Sequence, residues 1–154
     1  MLKDIILKLY NNNDLSDDEL KLLIETDDLQ AGELLRSLAD EVRQKYYGKD
    51  VYLRGLIEIS SFCKNDCLYC GIRRSNNNAR RYRLSHEQIM SCCENGYQLG
   101  FRTFVMQGGE DSFFTDDYLC AIIEEIKSKF PDCAVTLSLG ERSEESYRRL
   151  KNAG

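Results

Sequence analysis

Three cysteines of this 154-residue chain fall within eight positions, as Cys63-Lys-Asn-Asp-Cys67-Leu-Tyr-Cys70, a CxxxCxxC spacing. Three thiolates in one loop can hold three positions of a compact metal cluster, and soft thiolates suit iron–sulfur clusters or zinc. An iron–sulfur cubane bound by only three thiolates keeps one iron without a protein ligand, open to a substrate or cofactor. A structural zinc site is instead closed by four ligands, usually as two separated pairs. Here no second CxxC exists, and a fourth ligand would have to be His86 or a distant cysteine. A zinc-stabilised, non-redox binding module is thus the alternative of a different class. Seven cysteines is an odd number, so disulfides cannot use them all. The start, Met1 to Asn13, carries Lys3, Asp4 and Lys8 and lacks the apolar core of an export signal. A cytoplasmic location is expected, where thiols stay reduced. Cys92, Cys93, Cys120 and Cys133 are scattered and read as buried small hydrophobes.

Two further groups could contribute chemistry. In Gly108-Gly109-Glu110-Asp111 the glycines form a tight turn or allow close backbone approach. A carboxylate there, with backbone carbonyls, can receive an ammonium group. Thr136, Ser138 and Glu141 form the second group, on and after a strand whose alternation turns both hydroxyls to one face. They face a substrate or cofactor, or simply fill space; Arg54 and Glu58 stand under the same two readings. Arg73, Arg74, Arg80, Arg81 and Arg83 make a basic stretch, read as solvated or as offsetting nearby carboxylates. His86 falls in the first turn of a helix and is expected to be exposed. With 26 acidic against 21 basic residues the formal charge is −5, no footprint for nucleic acid, and no apolar run reaches a membrane span.

The elements that must position these residues follow from periodicity. Leu2, Ile5, Ile6 and Leu9 mark a first helix. Ser16 with Glu19 is a capping box for a second, and Asp27 or Asp28 caps a third that stops at Gly48. From residue 51 the period changes: Val51 to Ser60 alternates as a strand, and a long loop runs from Ser61 to Leu84. Ser85 with Gln88 caps a helix to about Leu99. Arg102–Gln107 is a strand, Thr115 caps a helix ended by Pro131, Cys133–Leu139 is a strand, and Ser143 caps a last helix. This βα repetition predicts an α/β fold with a parallel sheet. Polar residues on one strand face favour a partial (β/α) TIM-type barrel of about three units over a doubly wound sheet. The expected organisation is a helical segment, 1–50, before the N-terminal part of a barrel, 51–154. A whole barrel needs about 250 residues, and the chain stops where a helix would hand over to a next strand. We therefore expect a truncated barrel, marginally stable and catalytically incompetent alone.

CxxxCx-aromatic-C after the first strand, with Tyr69 in the aromatic place, resembles the signature of the radical S-adenosylmethionine (SAM) superfamily. The words Tyr52-Leu-Arg-Gly-Leu-Ile-Glu58, Cys67-Leu-Tyr-Cys-Gly-Ile-Arg-Arg74, Arg81-Tyr-Arg83, Phe101-Arg-Thr-Phe104, Gln107-Gly-Gly-Glu-Asp111 and Val135-Thr-Leu-Ser-Leu-Gly-Glu141 run in order. Over about Leu29 to Gly154 they are similar to the [FeFe]-hydrogenase maturases of the biotin-synthase-like branch. Methylornithine synthase, biotin synthase and the tyrosine lyases are relatives in that branch and supply the alternative readings. The resemblance implies a 4Fe-4S cluster on Cys63, Cys67 and Cys70, with SAM chelated by its open iron. It implies reductive cleavage of SAM to a 5′-deoxyadenosyl radical, used in maturation of the hydrogenase diiron site (the H-cluster). It implies cofactor-binding roles for Tyr69, Gly108, Gly109, Glu110, Thr136 and Glu141, with Gly108–Glu110 meeting the SAM amino group. The implied partners are an organometallic iron or other small-molecule substrate, an electron donor such as ferredoxin or flavodoxin, and other hydrogenase maturation proteins; nucleic acid and membrane are not among them. No residue is assigned as catalytic from the sequence.

Overall fold

The structure, a computed structural model, describes residues 1–154. The chain forms two compact units, Met1–Val51 and Tyr52–Gly154.

The first unit is helical: α1 (Leu2–Asn12), α2 (Asp17–Glu25) and α3 (Leu29–Tyr47). Short-range signals set their limits. The Ser16–Glu19 capping box forms reciprocally, and Asp28 accepts from the amides of Gln30 and Ala31 at the start of α3. Ile5, Ile6 and Ala31 are buried between the helices, while Lys8 pairs with Glu19 and the Tyr10 hydroxyl donates to Glu41 at 2.6 Å.

The second unit alternates strand and helix: β1 (Gly55–Ser60), α4 (His86–Gln98), β2 (Thr103–Gly108), α5 (Asp116–Lys129), β3 (Ala134–Ser138) and α6 (Glu144–Ala153). Ser85, Thr115 and Ser143 cap the three helices as expected. The strands pair in parallel in the order β1-β2-β3. Such an order is shared by neighbouring staves of a (β/α) barrel and by one half of a doubly wound sheet. The faces tell them apart. Ile57, Met106 and Leu137 are register neighbours on one face and join the core with Phe104, Ile89, Leu119, Ile122 and Ile126. On the other face Glu58, Gln107 and Ser138 form an exposed polar row. A doubly wound sheet covers both faces with apolar contacts. One apolar and one polar face is the construction of a barrel wall, so the fold is α/β with three parallel staves of a (β/α) barrel.

The first strand is shorter than its alternation predicts. Val51, Tyr52 and Leu53 are exposed and lie outside it; the ladder to β2 begins at Gly55, level with Phe104. Between Glu58 and Ser60 the register shifts, so Ile59, Ser60 and Ser61 are buried in succession. No helix is long and apolar enough to cross a membrane.

Candidate functional site

Leaving β1, the chain enters an irregular loop from Ser61 to Leu84 whose neck is a short antiparallel ladder. The Ser61 amide donates to the Tyr82 carbonyl at 3.1 Å, and the Leu84 amide to the Ile59 carbonyl at 2.8 Å. The Ser61 hydroxyl donates to the Arg80 carbonyl at 2.9 Å and accepts from the Tyr82 amide at 2.8 Å. Turns shape the interior: the Cys70 amide donates to the Cys67 carbonyl at 2.9 Å, and the Arg74 amide to the Asn65 carbonyl at 2.8 Å. All three cysteines of the loop are free thiols; Cys63 and Cys70 are half-buried and Cys67 is exposed. Tyr69 is 93% exposed, and the charge of Cys67, with a hydrogen bond to it, holds the phenol above its ordinary pKa.

This loop is fastened to the end of β2. The Lys64 amide donates to the Glu110 carbonyl at 3.0 Å, Lys64 Nζ meets the Glu110 carboxylate at 2.9 Å, and Asn65 Nδ2 donates to Glu110 Oε1 at 2.7 Å. The Glu141 amide, after β3, donates to the same carboxylate, and with Lys64 as the largest influence Glu110 lies below the usual carboxylate range. Glu110 thus gathers the cysteine loop and the ends of β2 and β3. Two glycines make room. A Cβ on Gly109 would stand 2.2 Å from the Phe62 carbonyl oxygen and 2.6 Å from Cys63 Cβ. Gly140 has φ +83, and a Cβ there would stand 1.9 Å from Glu110 Cγ. Gly108-Gly109 is therefore no tight turn: Gly108 ends β2, and Gly109 is the point where the loop passes closest to the sheet.

Asp111 anchors the other side. Its carboxylate, with the side chain 3% exposed, accepts from Ser60 Oγ at 2.6 Å, Arg83 Nε at 2.7 Å, Arg83 Nη2 at 3.0 Å and the Phe113 amide at 3.1 Å. The Arg83 guanidinium lies 4.0 Å from the Phe62 ring centroid, beside Cys63. Burial pushes Asp111 up, but these donors outweigh it and hold the carboxyl below its ordinary value. A pKa lower in the folded than in the unfolded chain stabilises above the unfolded value and is lost as pH falls through the folded one. Asp111→Asn is therefore expected to cost roughly 1.5–3 kcal/mol near neutrality. The gap to the unsubstituted chain should close below about pH 4. Thermal melts at stepped pH check this; equal melts at pH 7 would remove Asp111 from the account.

On the polar sheet face an open cavity of about 350 Å³ is lined by Glu58, Ser60, Arg80, Tyr82, Gln107 and Gly108, among others. Thr136 is exposed on the same face, level with Val105 and Leu56, and the Glu141 side chain is exposed. Arg54 precedes β1 and is exposed. Gln107 is the residue that sequence reading passed over; its place between Met106 and Gly108 on an alternating strand was the available signal.

Three expectations need correction. Cys92 is exposed, because it lies off the stripe of Ile89, Met90 and Cys93 that α4 buries. His86 is half-buried between α4 and α5, with Nε2 2.6 Å from Glu125 and its ring edge-on to Tyr118. The arginine stretch is neither wholly solvated nor all paired with carboxylates: Arg83 has Asp111, whereas Arg81 donates to backbone carbonyls of Ser61, Ile72, Arg73 and Asn76. Cys93, Cys120 and Cys133 are poor thiolates. Burial pushes Cys93 up to about 12 and raises Cys120 and Cys133 as well.

No three His, Cys, Asp or Glu side chains converge on one point as ligands of a single ion would. A cluster asks something different, since each thiolate reaches a different iron. Three free thiols in one loop, two of them at the ends of one tight turn, fit that demand. The chain belongs to the radical SAM superfamily, whose sequence pattern matches residues 57–154. Members of this enzyme family use a 4Fe-4S cluster and S-adenosylmethionine. The [FeFe] hydrogenase maturase subunit HydE of Thermotoga maritima is 41% identical over 97% of this chain and 42% of its own length. The 3-methylornithine synthase of Methanosarcina acetivorans is 32% identical over 79% of this chain and 35% of its own. The crystal structure of HydG, a maturase of the [FeFe]-hydrogenase, superposes with a TM-score of 0.83 at 25% identity, covering 99% of this chain and 35% of that one. The chain thus spans less than half the length of these relatives.

Proposed function

We propose that Cys63, Cys67 and Cys70 hold a 4Fe-4S cluster, that Gly108–Glu110 receive SAM beside it, and that the enzyme acts in maturation of the [FeFe]-hydrogenase H-cluster. The observation that carries the reading is the fastening of the CxxxCxxC loop to Glu110. It joins a carboxylate at the end of β2 to Lys64 and Asn65, the two residues that follow Cys63. The higher identity to HydE than to the methylornithine synthase supports the hydrogenase assignment within the superfamily. When bound, cluster and SAM together supply an electron and a 5′-deoxyadenosyl radical.

The residues of this chain bind and orient. Glu110 is already shaped for a primary ammonium, since Lys64 Nζ sits 2.9 Å from its carboxylate. Lys64 is largely exposed and free to yield that place to the amino group of SAM. Oε1 keeps its bond from Asn65 through the exchange. Thr136 and the exposed row Glu58–Gln107–Ser138 face the space where substrate would lie, and Tyr69 and Glu141 flank the cofactor side. Ferredoxin or flavodoxin would deliver the electron, and the substrate would be an organometallic iron species made by another maturation protein.

Anaerobic reconstitution with iron and sulfide tests the cluster. A brown protein binding about four irons supports it, whereas a colourless zinc protein would establish the non-redox module. Glu110→Gln keeps the oxygen that accepts from Asn65 and removes the charge. SAM binding by the reconstituted protein should weaken tenfold or more, because a charged hydrogen bond contributes roughly 1.5–3 kcal/mol. Iron content should not change. Equal SAM affinity in the variant would show that Glu110 only fastens the loop. Incubation of the complete enzyme with candidate substrates separates the maturase from a methylornithine- or biotin-forming relative by product.

A further inference from the structure

We propose that Arg81 is the positioning residue that gives the cysteine loop its shape before any cluster arrives. The proposal rests on the reading that the three cysteines are the cluster ligands. Arg81 Nη1 donates to the carbonyls of Ser61 and Ile72, the latter at 2.7 Å. Nη2 donates to the carbonyls of Arg73 at 2.6 Å and Asn76 at 3.3 Å. Ser61 lies two residues before Cys63, and Ile72, Arg73 and Asn76 follow Cys70. One half-buried side chain therefore joins the chain entering the cysteine segment to the chain leaving it.

Only a guanidinium can do this from one position. It presents its donors in a rigid planar fork, whereas a lysine ammonium is a point with three donors arranged around one axis. The acceptors matter as much as the donor. All four are carbonyl oxygens, not carboxylates, so the positive charge of Arg81 is not cancelled by a counter-charge within the fork. It remains inside the loop that carries Cys63, Cys67 and Cys70. Arg83, two residues on, is spent on Asp111, and Arg74 is exposed at the loop surface. Of these three arginines, Arg81 alone closes the cysteine segment.

The test compares the unsubstituted chain with Arg81→Gln, Arg81→Lys and Arg74→Ala. Amide hydrogen exchange is read by mass spectrometry over residues 61–76 of the metal-free chain. Iron retained after anaerobic reconstitution and desalting is read separately, with the EPR spectrum of the reduced protein. Arg81→Gln should speed exchange over 61–76 at least tenfold, leave α4–α6 unchanged, and retain less than half the iron with a broadened EPR signal. Arg81→Lys should fall between it and the unsubstituted chain, and Arg74→Ala should match the latter. Unchanged exchange and iron in Arg81→Gln would overturn the proposal. If Arg81→Gln fails to fold, Arg81→Lys decides: behaviour equal to the unsubstituted chain in both readouts overturns it. If the unsubstituted chain takes up no iron, the cluster reading falls, while the exchange comparison still decides whether Arg81 shapes the loop.

Discussion

Serine at Cys63, Cys67 or Cys70, one at a time, is expected to reduce bound iron to a small fraction and to abolish the EPR signal of the reduced cluster. Serine at Cys92, Cys93, Cys120 or Cys133 should leave both in place. The contrast follows from where the thiols stand. The first three share a loop whose backbone is held by Glu110, and none lies in the packed core. Cys93 and Cys133 are sealed in that core, where burial holds their thiols protonated. Cys92 is on the outer surface of α4. Oxygen for sulfur at one position removes a soft ligand from an iron that has no other protein group to turn to, so the loss should be close to complete. Iron assays on seven single variants check this. Intact iron in Cys67→Ser, with loss in Cys120→Ser or Cys133→Ser, would refute the assignment.

Gly109→Ala should be severely damaging to the second unit. Its Cβ would lie 2.2 Å from the Phe62 carbonyl oxygen and 2.6 Å from Cys63 Cβ. Non-bonded carbons and oxygens need well over 3 Å, so the sheet end and the cysteine loop must part by about 1 Å. Both colliding groups belong to the backbone or to its first side-chain atom, and neither can swing aside. Overpacking of this kind costs about 1–3 kcal/mol, equivalent to a fall in melting temperature of at least 4 °C for a unit of this size. The displaced loop should also lose most of its iron. A methyl group at Gly71 meets nothing within 4 Å and should leave the melt unchanged. Calorimetry and iron content of the two variants make the comparison; a Gly109→Ala protein that melts and loads normally would show that the loop is not seated against the sheet.

What could be read from the amino acids was what acts over short distances. Capping residues announce helix starts within three or four positions, and Ser16, Asp28, Ser85, Thr115 and Ser143 all cap. The alternation of Ile57 with Glu58, and of Leu137 with Ser138, foretold a sheet with one apolar and one polar face. The start of β1 was illegible because alternation describes a strand's faces and not where a neighbour pairs with it; the ladder to β2 begins only at Gly55. Asp111 was seen only as the tail of a motif, because the hydroxyl it accepts from, Ser60, lies 51 residues away. Arg81 was the hardest to see: its acceptors are main-chain atoms, which every residue carries, so no letter in the sequence marks them.

The two-faced sheet confines most of the cost of substitution to one side. Glu58, Gln107, Ser138 and Thr136 are exposed, and substitutions at such positions usually change stability by no more than about 0.5 kcal/mol. Ile57 and Met106, next to Glu58 and Gln107 along the chain, are buried, and truncating residues of that kind costs several times as much, roughly 2–5 kcal/mol. Selection can therefore rewrite one face residue by residue while the other holds the architecture constant. The crystal structure of HydG superposes on the same frame at 25% identity.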